Sequence, residues 1–103
     1  MAKHERSVSA ERAERLLKEL VRRHLGGSAA ILFGSRANGT ENRLSDFDIA
    51  YMPGENFDPM SVVRLREDIE ESNVIYDVDL VDLSRVEESF REKVLREGVV
   101  WKN

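Results

Sequence analysis

Two short apolar runs in this chain carry aspartate at alternate positions: residues 46–52, reading DFDIAYM, and residues 74–83, reading VIYDVDLVDL. Aspartate is depleted in strands because its short charged side chain packs poorly on a half-buried pleated surface, so its recurrence here needs a reason. Side chains of a strand alternate between its two faces. Asp46 and Asp48 therefore share one face, with Phe47 and Ile49 on the other. In the second run Asp77 and Asp79 share a face, and Val78, Leu80 and Asp82 take the opposite one. If the two strands are neighbours, three or four carboxylates converge on one patch of sheet. Like charges that close raise one another's pKa unless a cation neutralises them. Oxygen donors select a hard cation, and Mg²⁺ usually binds through one or two carboxylates plus substrate oxygens. Two such ions can clamp the attacking and leaving oxygens of an in-line phosphoryl or nucleotidyl displacement.

A second feature stands at a fixed distance from the first. Gly34-Ser35 closes an apolar run, and ten residues separate it from Asp46. Glycine lets the backbone approach a phosphate closely, and the serine adds a hydroxyl donor; a helical turn after them would add free N–H groups. Arg36 and Arg43 are candidates to neutralise phosphates. The turn is not a Walker A loop, since no Gly-Lys-Ser/Thr ending follows. It is not an EF-hand either: counting from Asp46, the sixth position is Tyr51 and the twelfth is Phe57, where Gly and Glu are required.

The remaining pattern orders the elements. Residues 9–25 read as an amphipathic helix, with Ala13, Leu16, Leu17, Leu20, Val21 and Leu25 on one side, Ser9 as N-cap and Gly26-Gly27 as the stop. His24 is expected to interact with the dipole at the end of that helix, and His4 sits in the charged N-terminal stretch. Residues 29–33 form a buried strand, residues 35–45 a polar loop with a short helical turn near Arg36-Ala37, and residues 46–52 the second strand. Asp58-Pro59 resembles an N-cap with proline at the first helical position. The helix then runs to about Ser72, with Val62, Val63, Leu65 and Ile69 inward. After the strand at 74–83, Ser84-Arg85-Val86-Glu87 has the form of a capping box. The last helix, with Val86, Phe90, Val94 and Leu95 inward, ends at Gly98, and Val99-Val100-Trp101 is a candidate edge strand. Helix, strand, strand, helix, strand, helix implies a small α/β sandwich: a mixed sheet with helices packed on one face, the other face partly open, and the site on that open side.

Composition bounds the function. At 103 residues the chain is one domain spanning 1–103, with its core at about 10–97 and no room for a separate substrate domain. A chain of this size buries about 60–70% of its unfolded surface, enough for one core without staples. There is no cysteine, hence no disulfide or thiolate metal site. A formal net charge of −4 argues against direct nucleic-acid binding. The first residues lack the apolar stretch of a signal peptide, and no apolar run reaches bilayer-spanning length, so a cytoplasmic location with no membrane partner is expected.

Gly-Ser, ten residues, Asp-x-Asp, and a later strand with another Asp together resemble the DNA polymerase β-like nucleotidyltransferase superfamily. The size, and the phrases SDFDIAY and DVDLVDL, are similar to its minimal nucleotidyltransferase (MNT) branch, over about residues 10–97. The resemblance implies that Gly34 and Ser35, with Arg36, hold the triphosphate of ATP, and that Asp46 and Asp48 bind Mg²⁺. Asp79 maps onto the third carboxylate, which completes the site for two ions and helps activate the attacking hydroxyl. Asp77 shares its face and competes for the role; Asp82 points the wrong way. Small members of this branch act beside a HEPN-domain RNase toxin, which they silence as antitoxins by transferring AMP to one of its tyrosines. The alternative is an inactive nucleotidyltransferase-like module that neutralises its partner by binding. Either a homodimer or a hetero-oligomer is compatible with this reading.

Overall fold

The computed structural model describes residues 9–42 and 44–103; His4 and Arg43 lie outside them. The elements are α1 (Ala10–His24), β1 (Ala29–Phe33), α2 (Ser35–Asn38), β2 (Phe47–Met52), α3 (Met60–Glu70), β3 (Val78–Asp82), a 3₁₀ turn (Leu83–Arg85), α4 (Glu88–Glu97) and β4 (Val99–Lys102). They divide into two units, one of two helices and one built on the sheet.

The helical unit holds α1 and α3. Ser9 caps α1 by accepting a hydrogen bond from the Arg12 N–H at 3.3 Å, and the helix stops before Gly26-Gly27. Ala13, Leu17, Leu20, Val21 and Leu25 are buried; a fully buried leucine stabilises by about 1.5–3 kcal/mol. In α3 Leu65 and Ile69 are buried, whereas Val63, expected inward, is exposed, because Leu65 and Ile69 define a face four residues apart that Val63 does not share. Asp58 accepts from the Met60 N–H at 3.0 Å, but the cap position is held by Pro59 and the helix begins at Met60, one residue later than the Asp-Pro pattern implies. His24 does more than face a helix dipole: its Nε2 lies 2.6 Å from the Asp68 carboxylate, joining α1 to α3.

The sheet unit has strand order β3-β2-β1-β4, with β2 and β3 parallel and the other pairs antiparallel. A mixed four-stranded sheet with helices is thus the architecture, and β4 supplies the expected edge strand. Register places Ile31 opposite Ala50, Phe33 opposite Asp48, and Asp48 opposite Asp79, so these residues share a face. Leu83 and Val94 pack on that face over Ile31 and Ala50, with Phe33, Met52 and Val86 around them. The face expected to be partly open therefore carries α4 over β1, and stays open where Asp48 and Asp79 stand. Gly98 ends α4 against β1; a side chain there would run into Ile31, the Val94 carbonyl and the Leu32 carbonyl.

Two boundaries differ from the sequence expectation by more than the residue or two seen at the ends of β2, α3 and β3. β3 begins at Val78 rather than Val74, because its partner begins at Phe47, whose N–H is bonded to the Asp77 carbonyl at 2.9 Å; the residues before have no strand to pair with. The residues 84–87 do not form a capping box. The Asp82 carboxylate takes both the Ser84 N–H (2.8 Å) and its hydroxyl (2.6 Å). That contact curls Leu83–Arg85 into a 3₁₀ turn, and α4 starts only at Glu88.

Candidate functional site

β1 delivers the chain to Gly34, whose φ of +79° is a conformation that side chains rarely adopt. Glycine is required a second time by space: a Cβ here would collide with the carboxylate of Asp48. The Gly-Ser turn and the Asp-x-Asp strand thus touch directly, which their separation in sequence does not show. After Gly34 the chain makes one helical turn, with Ala37 and Asn38 N–H groups on the Gly34 carbonyl at 3.0 and 3.2 Å. Gly39, at φ +82°, closes it. The Ser35 hydroxyl is half-buried and has no hydrogen-bond partner among the described residues.

The polar loop that returns to β2 is a built turn. Asn42 accepts from the Leu44 N–H at 2.8 Å, and Ser45 Oγ accepts from the Asn42 N–H at 3.0 Å. It releases the chain at Asp46, which is exposed just before β2, while Asp48 is half-buried within it. Across the parallel pair Asp79 stands beside Asp48. Burial pushes the Asp48 carboxyl above its ordinary pKa, and the charges of Asp79 and Asp46, with a hydrogen bond to Asp79, push it further. Asp77 lies one residue before β3, exposed, with its carbonyl committed to Phe47. Asp82, on the opposite face, is consumed by Ser84 and by Arg85 at 3.6 Å.

Among the described residues no three carboxylate or imidazole groups close round one point. Asp48 and Asp79 are the side chains brought together, with Asp46 near enough to act on Asp48 by charge. This all-oxygen donor set fits a hard divalent cation that completes its shell with water and substrate oxygens. A cation there would also relieve the repulsion that holds the Asp48 pKa up.

Arg36 does not face this patch as a free phosphate ligand. Its Nε donates to the Ser45 carbonyl at 2.9 Å, and its guanidinium lies over the rings of Phe47 and Tyr76, 4.4 and 4.9 Å from their centroids. A cavity of about 270 Å³ opens on the other side of Gly34, lined by Phe33, Asn38, Phe90, Lys93, Val94 and Glu97. Lys93 makes no ion pair among the described residues. Sequence reasoning missed it, because one lysine in a charged helix carries no signal until the fold sets it beside the turn.

The chain is similar to several known proteins. The chain is 38% identical over 68 residues to a Haemophilus influenzae protein named as a probable protein adenylyltransferase, MntA. That stretch is 66% of this chain and 60% of the relative, less than two thirds of the relative's length. A toxin–antitoxin structure solved with AMP-PNP superposes with a TM-score of 0.66 at 28% identity, over 86% of this chain and 71% of that one. A structure solved as a minimal nucleotidyltransferase gives a TM-score of 0.66 at 30% identity, over 86% and 88% of the two chains. The family model described as polymerase beta, nucleotidyltransferase, matches residues 16–102. The chain belongs to the polymerase beta nucleotidyltransferase family.

Proposed function

We propose that this protein is a Mg²⁺-dependent protein adenylyltransferase of the cytoplasm, acting as antitoxin by transferring AMP from ATP to a tyrosine hydroxyl of a HEPN-domain toxin. The observation that carries the reading is the register of Asp48 with Asp79 beside Gly34, a phosphate-sized turn in contact with a carboxylate pair. The relatives support the acceptor: one is named as a protein adenylyltransferase, and another is a toxin–antitoxin solved with an ATP analogue.

In this reading Gly34 and Ser35 hold the phosphate tail, the serine through its hydroxyl, and Lys93 supplies the cation on the cavity side. Asp46, Asp48 and Asp79 would hold Mg²⁺, which offsets charge on the phosphates and on the leaving group. Asp79, at the exposed edge of the pair, orients the acceptor hydroxyl and takes its proton at a carboxylate oxygen. The hydroxyl oxygen then bonds to the α-phosphorus, the bond from that phosphorus to the bridging oxygen of the β-phosphate breaks, and pyrophosphate leaves. A further feature suits a protein acceptor: the carboxylates stand on an open part of the sheet.

The test is co-expression with a HEPN-domain protein from the same source, followed by intact-mass measurement of that protein. A gain of one or more AMP units with wild type, and none with Asp46→Ala/Asp48→Ala, is expected. An unmodified partner that the double variant still silences would leave contact alone as the mechanism and overturn this reading.

A further inference from the structure

We propose that Arg36 is a positioning residue that locks together the three segments from which the site is built; the inference rests on the nucleotidyl-transfer reading above. Arg36 follows Ser35 directly, so its backbone belongs to the Gly-Ser turn. Its Nε donates to the carbonyl of Ser45 at 2.9 Å, immediately before Asp46. Its guanidinium lies over Phe47, the residue between the two aspartates of β2, with the guanidinium carbon 4.4 Å from the ring centroid. The same group lies 4.9 Å from the centroid of Tyr76, on the segment that leads into Asp79. Phe47 and Tyr76 meet edge to face at 5.6 Å, and the Phe47 N–H bonds the Asp77 carbonyl at 2.9 Å. One side chain therefore ties residues 34–36, 45–48 and 76–79 from behind, on the side to which Phe47 rather than Asp48 points.

The chemistry requires arginine rather than a positive charge. A planar guanidinium can donate in its plane to a carbonyl while its faces rest on aromatic rings, and an ammonium on a flexible stem cannot do both. Nη2 is buried with no hydrogen-bond partner among the described residues, a cost that a solvated phosphate-binding arginine would not carry. The β1–β2 and β2–β3 registers place Gly34, Asp48 and Asp79 beside one another; Arg36 adds a tie to the stretches just outside those ladders, at Ser45 and Tyr76.

The experiment compares wild type with Arg36→Lys, Arg36→Met, Tyr76→Phe and Tyr76→Leu. AMP transfer to the HEPN-domain partner is measured as kcat and KM for ATP, and amide hydrogen exchange is followed on the same proteins. A displacement of the site by an ångström can cost about 10²-fold in rate, so Arg36→Lys and Arg36→Met are both expected to lose kcat on that scale with little change in KM. Tyr76→Leu should fall in the same direction and Tyr76→Phe should match wild type. In both Arg36 variants the Phe47 amide should exchange faster, while amides in the centre of β1 stay protected. An Arg36→Lys variant with near-wild-type kcat, or an Arg36→Met variant whose defect lies in KM with Phe47 protection intact, would overturn the inference in favour of a phosphate contact. If wild type itself transfers nothing, the nucleotidyl-transfer reading fails, and the exchange measurement still decides whether Arg36 holds the three segments.

Discussion

Two aspartates of β3, three residues apart, have opposite employment. Asp82 is saturated: one oxygen receives two donors from Ser84, the other faces Arg85, and the result is a turn that seats Leu83 in the core. Asp79 has no cation or N–H donor among the described residues; what stands beside it is another carboxylate, and burial, together with the charges of Asp79 and Asp46, holds Asp48 above its ordinary pKa. The first arrangement lowers the free energy of the fold and the second raises it. A fold keeps unfavourable contacts of the second kind where they serve a site, so the difference marks Asp82 as a structural acid and Asp79 as the candidate functional one on the same strand.

The comparison can be broken most sharply at the functional end. Replacing Asp48 by alanine should abolish AMP transfer, by about 10²-fold or more as for loss of other strong electrostatic contacts in a reacting centre, with the fold retained by circular dichroism. Retained activity would remove the pair from the chemistry. Gly34→Ala comes next. Gly34's backbone, at φ +79° and ψ −158°, costs an alanine about 1–3 kcal/mol, and its methyl group also displaces Asp48; both melting temperature and transfer should fall. Asp82→Ala should lower stability by about 0.5–2 kcal/mol, the usual range for loss of a side-chain cap, and leave KM for ATP unchanged. An Asp82→Ala protein that folds normally but loses nucleotide binding would reverse the assignment.

The smallest effect is the most diagnostic in sign. Because the folded-state pKa of Asp48 is raised, the folded protein binds its proton more tightly than the unfolded chain. Asp48 therefore costs stability as pH rises from the ordinary carboxylate range through its raised pKa, and the cost is constant above that. In metal-free buffer Asp48→Asn should melt higher than wild type at neutral pH, by no more than about 4 °C for a half-exposed group in a domain of this size. The gap should close as pH falls to 4 and below.

How much of this was readable from sequence follows from the range over which each signal acts. The alternation that puts Asp46 with Asp48, and Asp77 with Asp79, is local, and so is the Gly-Ser turn with its helical continuation. Whether β2 and β3 are neighbours is not local; it depends on the crossover through α3, and only the parallel register singles out Asp79 as the residue opposite Asp48. The contact of Gly34 with Asp48, and the turn of Arg36 toward Ser45, Phe47 and Tyr76, depend on packing between distant segments. The capping-box pattern at 84–87 failed for a nearer reason: Asp82 lies two residues before Ser84 and captured its donors first.

The central claim is that Asp48 and Asp79, and not Asp77, form the cation site beside the phosphate turn. Electron paramagnetic resonance of Mn²⁺ titrated into the protein with AMP-PNP tests it without any acceptor. Wild type and Asp77→Asn are expected to bind the ion with similar affinity, and Asp79→Asn to lose it by tenfold or more, about 1.4 kcal/mol. Loss in Asp77→Asn with Asp79→Asn unaffected, or no bound ion in wild type, would contradict the account.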